Sequence, residues 1–331
     1  MSVSVAPSPL PPLRRQRRWL IATLWVVLTI ALVAAVRAVP WRGMVGQLGH
    51  VRPGWVVLAV AAYAATLPVW AAEWRLLAPG SARSPFRRML DVVSVMASVL
   101  NSVPFFAGEA SGAAMLIARA GLSRGAAVSV LAMDQLLSGL AKLVVLTTAA
   151  LLVPLPSWLR AGVLALVAGV AALLTVCVAL AHRWGALRER LLSKPDRVRA
   201  GVARVVSIGR HLDAIRETHR AWRLAALAIS KKALELLGIV AVQVAFGLEP
   251  SLAAAMLMLA ALAIASLAPV APGNVGVYEA AVFAAYRYLG VRPDLALGMA
   301  VVQHACFLLP MLATGYVTLT LRQLRPTADV R

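Results

Sequence analysis

Long apolar runs constrain this chain more than any other feature. They cover about 19–36, 54–74, 89–118, 126–153, 157–181, 223–247, 251–289 and 294–321. A helix needs roughly 20 residues to cross the hydrocarbon of a bilayer, so most of these runs read as single spans. Composition agrees: 61% of the 331 residues are hydrophobic and 14% are charged, where a soluble domain averages roughly 25% charged. A soluble fold of this size has too little interior for that much apolar surface, so lipid must cover part of it. A soluble enzyme, a disordered chain and a disulfide scaffold are excluded. Cys177 and Cys306 lie inside apolar runs, without CxxC or metal spacing, and read as small core residues.

Residues 1–18 form a Pro-rich tail that ends in Arg14, Arg15, Arg17 and Arg18, and disorder is expected there. The run 19–36 is longer than the roughly 7–15 apolar residues of a signal peptide. It is expected to be an uncleaved first span with its N-terminus in the cytoplasm.

Two runs are interrupted. The first contains Asn101-Ser102-Val103-Pro104-Phe105-Phe106-Ala107-Gly108-Glu109. The second contains Pro269-Val270-Ala271-Pro272-Gly273-Asn274-Val275-Gly276-Val277-Tyr278-Glu279. In each, a Pro and a Gly end one helix and a Glu opens the next. Proline removes an amide hydrogen and clashes with the preceding turn. Unpaired backbone groups cost several kcal/mol in lipid, so each break must be buried in protein or line a wet cavity. Paired broken helices in two halves of a membrane chain point to a transporter-type binding site.

Each broken run could cross the membrane or fold back. The segment 182–222 carries ten Lys/Arg against four acidic residues, a net of +6, and belongs in the cytoplasm. If both broken runs crossed, an N-in chain would put this segment outside. If both are hairpins, 75–88, 182–222 and the C-terminal tail are all cytoplasmic, and the outer loops hold few charges. The segment 251–268 is the doubtful one, because it is nearly long enough to cross alone. The expected fold is therefore an all-α integral membrane bundle, N-in/C-in. It has about six spans and two re-entrant broken-helix hairpins in an inverted-repeat arrangement. The expected organisation is a basic tail 1–18, a transmembrane domain 19–321 and a cytoplasmic tail 322–331. The net charge of +20 is then mostly orientation, on a cytoplasmic face that attracts anionic lipid. No nucleic-acid reader motif accompanies it.

At the two breaks the chain resembles the transmembrane region of lysylphosphatidylglycerol synthase and its flippase-like relatives, over roughly 19–321. Asn101, Pro104, Gly108, Glu109 and the following Arg119-Ala120-Gly121-Leu122-Ser123 carry the first part of the likeness. Pro269 to Ala280, then Leu289-Gly290-Val291, carry the second. The resemblance implies a lipid translocator in the inner (cytoplasmic) membrane of a bacterium. Gly112-Ala113 stand where the family usually carries Arg, Asp134-Gln135 and Ser138 replace its Glu-Arg and Asp, and Gln303-His304 replace an Arg of the last span. A stand-alone member without the synthase domain is expected, and hence no enzyme activity and no cofactor.

Ionisable residues inside spans are costly and usually face a cavity. Glu109 and Glu279 open the second halves of the hairpins, either as caps that tie the breaks or as partners of a headgroup or proton. Asp134, Ser138 and Lys142 share one helix face at i, i+4 and i+8, and each charge needs a partner elsewhere. Lys231 and Glu235 form an i,i+4 pair. Lys231 and Lys232 either snorkel or line the cavity, and Glu235 is a candidate partner for Lys142. Gln303 and His304 sit in the last span as an interhelical hydrogen-bonding pair or a proton relay. The candidate binding set is Asn101, Pro104, Gly108, Glu109, Asp134, Lys142, Glu235, Pro272, Gly273, Gly276, Glu279, Gln303 and His304.

The leading reading is a lipid flippase whose cavity between the broken helices takes the headgroup of a phospholipid, a polyprenyl-linked or a hopanoid-type lipid. No GxxxxGK[ST] is present to drive it with ATP. A non-transporting scaffold for a lipid-modifying enzyme is the alternative, and either a homo-oligomer or such a partner enzyme is compatible with it. An intramembrane hydrolase with a Ser138–His304 dyad is a third reading, although Leu136-Leu137 replace the start of a GxSG signature.

Overall fold

The computed structural model of the protein describes residue 46 and residues 49–79, 84–103, 107–182, 218–267 and 271–323. The expected tail 1–18, the span 19–36, residues 183–217 of the basic segment, Pro104 and residues 324–331 lie outside the described residues. Helices account for the rest, with no strand among the described residues: α1 (Pro53–Leu77), α2 (Phe86–Ser102), α3 (Ala107–Ala118), α4 (Arg124–Leu152), α5 (Ser157–His182), α6 (Thr218–Ala245), α7 (Leu252–Ala265), α8 (Val277–Tyr288) and α9 (Pro293–Gln323). A single 3-10 turn, Pro272–Asn274, separates α7 from α8. Ser123 and Ser251 start α4 and α7 by accepting the amide hydrogens of Ala126 and Ala254, each at 3.2 Å.

Three of these helices, over Pro53–Leu77, Arg124–Leu152 and Pro293–Leu321, are long and apolar enough to cross a membrane. Outward-facing Leu151, Leu164, Leu309 and Val317 are exposed, as lipid-facing side chains are. The protein is an all-helical membrane protein.

Both interrupted runs are split in two, as the Pro and Gly residues require. At about 1.5 Å per residue, the 12 to 17 residues of α2, α3, α7 and α8 each reach only about 18–26 Å, short of a roughly 30 Å hydrocarbon layer. The doubtful segment 251–268 is helical only to Ala265, giving α7 a length of about 21 Å. The first pair doubles back on itself. A Cβ on Gly108 would fall 2.6 Å from the Leu100 side chain, and one on Gly112 would fall 2.7 Å from Met96 Sδ. Positions that rise on α3 meet positions that fall on α2, so the two run antiparallel. α7 and α8 also pack on each other.

The long helices α1 and α6 form an antiparallel pair. At one end the Arg52 amide donates to the Ala245 carbonyl (2.9 Å), and in the middle Gly238 admits the Tyr63 ring. At the other end Arg220 bonds the Leu76 and Ala78 carbonyls that close α1. α2 lies on α9, and α7 lies on α4. α2 and α9 run antiparallel, with Ser98 against Met311 and Leu312 and Ser94 against Gly315.

The buried apolar residues form two cores. One gathers α2, α3, the first half of α4 and the second half of α1 around Trp74, Met89, Met96 and Leu116. The other gathers α7, α8, the second half of α4 and the first part of α9 around Leu146, Leu257, Val282 and Tyr286. The polar residues of the long helices lie where the two cores meet.

The α2–α9 seam is sterically tight. A Cβ on Gly315 would run into Ser98 Oγ and the Ser94 carbonyl. Gly315→Ala is expected to cost about 1–3 kcal/mol through overpacking and to lower the melting temperature in detergent. Gly169→Ala, where nothing lies within 4 Å, is expected to leave it unchanged or raise it.

Candidate functional site

The second break is built on a Pro-Gly turn. Pro272 ends the extended approach, and the chain then turns through left-handed backbone at Gly273 (φ 60°), Asn274 (φ 54°) and Gly276 (φ 87°). Glycine adopts that region without strain. Gly273 has a second reason to lack a side chain: a Cβ there would sit 3.1 Å from the Asn101 carbonyl oxygen of the first break. The two breaks therefore touch.

His304 of α9 clamps this break. Its Nε2 lies 2.9 Å from the Gly273 carbonyl and its Nδ1 lies 2.8 Å from Glu279 Oε1. The other Glu279 oxygen accepts the Gly276 amide at 2.7 Å, closing the first turn of α8. The His304 ring stacks on Tyr278, with centroids 4.1 Å apart and planes 7° from parallel. Gln303 Nε2 donates to the Tyr278 hydroxyl at 3.0 Å. A carbonyl only accepts, so Nε2 carries a hydrogen, and the His304–Glu279 contact then holds one further proton on one of the two groups.

A cavity of about 340 Å³ opens where the breaks meet. Asn101, Val103 and Glu109 line it from the first break, and Ala271, Gly273, Asn274 and Tyr278 from the second. Asp134, Gln135, Ser138 and Lys142 of α4 form one wall, while Lys231, Lys232 and Glu235 of α6 form another. Three lysines and three carboxylates thus share the lining.

These charges are not equivalent. Lys232 is held by both Glu235 oxygens at 2.7 Å. Lys142 donates to Ser266 Oγ at 2.8 Å, at the end of α7. Lys231 lies 2.6 Å from Glu73 Oε2 of α1 and 3.5 Å from Asp134 Oδ1 of α4. The same Asp134 oxygen accepts Trp70 Nε1 at 2.8 Å. Glu109 Oε2 is buried without a hydrogen-bond partner among the described residues.

Of the expected binding set, Asn101, Glu109, Asp134, Lys142, Glu235 and Gly273 line the cavity. Gly108 instead provides the close contact within the first hairpin. Pro272, Gly276, Glu279, Gln303 and His304 stand behind the cavity wall and hold the second break in shape. Pro104 lies outside the described residues. Asp134, Ser138 and Lys142 do share one face, and all three reach the cavity.

Two expected pairings are corrected. Glu235 pairs with Lys232 one turn back, and not with Lys142 or Lys231, because the i,i+3 geometry brings both carboxylate oxygens to Lys232. Lys231 does not snorkel: it is 8% exposed and turned inward to two carboxylates. His304 has both nitrogens engaged, with Glu279 and Gly273, so Ser138 is not its partner. Cys306 is buried as expected.

Glu73 is the residue that sequence reasoning missed. It is fully buried and lies within the apolar run 54–74, two positions before Arg75. The usable signal was Trp70 one turn earlier, since α1 runs on to Leu77.

A family model described as lysylphosphatidylglycerol synthase TM region matches residues 19–315. No curated protein and no solved structure matches the chain.

His304→Ala strips the buried Gly273 carbonyl of its donor and is expected to cost about 1–3 kcal/mol, read as a lower melting temperature in detergent. Because Lys142 and Glu235 have separate partners, the double swap Lys142→Glu with Glu235→Lys is expected to be no more stable than the worse single variant.

Proposed function

This chain belongs to the lysylphosphatidylglycerol synthase TM region family, and from that premise we propose that it moves lipid between the two leaflets of the cytoplasmic membrane. The observation that carries the reading is the meeting of both helix breaks at one charged cavity, at the junction between two apolar cores. A cavity of about 340 Å³ lies at the small end of the roughly 300–1,000 Å³ of ligand sites. It suits a polar headgroup, with the acyl or prenyl tails left outside in lipid. A phospholipid, a polyprenyl-linked and a hopanoid-type lipid all meet that description.

The lining suits a headgroup crossing a low-dielectric layer. Lys142 and the first turn of α3 offer positive charge to a phosphate. Glu109, with one carboxylate oxygen unpartnered among the described residues, offers an acceptor to an amine or hydroxyl. Desolvating the headgroup is expensive, and these fixed groups replace its water.

Movement follows from the way the halves are built. α1, the α2–α3 hairpin and α4 correspond in order to α6, the α7–α8 hairpin and α9. Each hairpin packs against the long helix of the opposite half, and α1 and α6 run antiparallel. These relations support two inverted repeats with opposed re-entrant hairpins, N-in and C-in, in which rocking one repeat against the other opens the cavity to alternate sides.

Two measurements test this. In liposomes carrying a tail-labelled fluorescent lipid, the purified protein is expected to exchange label between leaflets faster than empty vesicles. Ser138→Phe, which fills the cavity, is expected to return the rate to that baseline while the protein stays monodisperse. Failure to exchange phospholipid, polyprenyl and hopanoid probes alike removes the reading. In a cysteine-free background, Ser123→Cys is expected to label from the cytoplasm and Arg292→Cys from the outside; labelling of Ser123→Cys from outside alone rules out the hairpin topology.

A further inference from the structure

The Glu73–Lys231–Asp134 cluster holds one carboxylate too many. Lys231 lies within 2.6 Å of one and 3.5 Å of the other, and exposures are 0% for Glu73, 3% for Asp134 and 8% for Lys231. Besides Asp134, the charged groups acting on Glu73 are Lys231 and Lys232 of α6. Lys232 is neutralised by Glu235. α2, packed on the same stretch of α1, buries Met89, Val92, Val93 and Met96 there. With both carboxylates ionised the triad carries a net charge of −1 between helices in hydrocarbon, where an uncompensated charge is strongly unfavourable. One added proton makes it neutral. Glu73 Oε1 is buried without a hydrogen-bond partner among the described residues, which leaves an oxygen free to carry that proton.

The cluster meets the cavity through two of its three members. Asp134, Lys231 and Trp70 line the cavity, and Glu73 does not. From the cavity, Glu73 lies behind the groups that a headgroup meets first. A phosphate drawn to Lys231 weakens its hold on the two carboxylates and favours the protonated state. A headgroup ammonium at Asp134 does the reverse and displaces the proton.

We propose that Glu73, Asp134 and Lys231 form a proton-binding site that takes up one proton from the side to which the cavity is open and releases it on the other, coupling lipid movement to the proton gradient. Only an O–H bond forms and breaks: the proton comes from water on one side, resides on Glu73 or Asp134, and returns to water on the other. The coupling half of this inference rests on the lipid-translocation reading; the proton site does not.

The experiment has two arms. Infrared spectra of the full-length protein in lipid nanodiscs, in heavy water at about neutral pH, are expected to show the carbonyl stretch of a shielded neutral carboxylic acid. That band is expected to disappear or shift in Glu73→Gln and in Asp134→Asn. Glu73→Gln gives a neutral triad, so it is expected to melt close to the wild type, while Lys231→Gln melts far lower. Should Glu73→Gln fail to fold, Asp134→Asn carries the same readouts. In the second arm, a gradient of about one pH unit across lipid-probe vesicles is expected to change the wild-type exchange rate by up to about tenfold, the ratio of proton activities. The same gradient is expected to leave the Glu73→Gln rate unchanged.

No neutral-carboxyl band, or a band indifferent to both substitutions, overturns the proton site. A wild-type exchange rate indifferent to the gradient overturns the coupling. A band that behaves as expected in a protein that moves no lipid under any gradient upholds the site and removes the translocation reading instead.

Discussion

A helix interrupted inside hydrocarbon must find partners for the backbone groups it exposes, and water is not there to supply them. Much of the middle of this protein answers that constraint. The Gly273 carbonyl is taken by His304 and the Gly276 amide by Glu279. The Asn101 side chain returns to the Ala97 carbonyl in the last turn of α2, at 2.8 Å. The two breaks are then brought against each other, with the Asn101 carbonyl over Gly273. Collecting both interruptions in one place confines the polar backbone to one region and leaves the apolar cores on either side intact.

That same region is where side-chain charge is tolerated. Trp70, Glu73, Asp134, Lys142, Lys231, Lys232 and Glu235 come from three long helices that pass through both cores. Each ion pair closes within the protein. Lys231 alone ties α1, α4 and α6 together, through Glu73 and Asp134. The second break is clamped by His304 and Glu279. On the cavity side, among the described residues, Glu109 Oε2 has no hydrogen-bond partner and Lys142 has a serine hydroxyl.

Glu109 and Glu279 show how far sequence symmetry reaches. Each occupies the first turn of a second half-helix, and nothing in the sequence tells their roles apart. In the fold they diverge, because α9 presents His304 to Glu279 while no described side chain meets the outer oxygen of Glu109. Glu279 is bound within the second break, and Glu109 lines the cavity. Lys142 and Glu235 were misjudged for a related reason. Depth in an apolar run says that a charge needs a partner, but not which of several helices turns that partner toward it.

The sequence by itself determined the membrane class, the helix class, both breaks and the helical bounds to within a few residues. Those follow from local physics: apolar run length against bilayer thickness, proline's missing amide, and glycine's access to left-handed backbone. The tertiary structure decided that the first broken segment doubles back and that both breaks meet at one cavity. It also decided that Lys232 and not Lys142 serves Glu235, that Lys231 serves Asp134, and that Glu73 belongs to the polar centre. These depend on which faces of distant helices pack together. The packing of α1 against α6 brings residue 73 to residue 231, and no period or spacing along the chain encodes that approach.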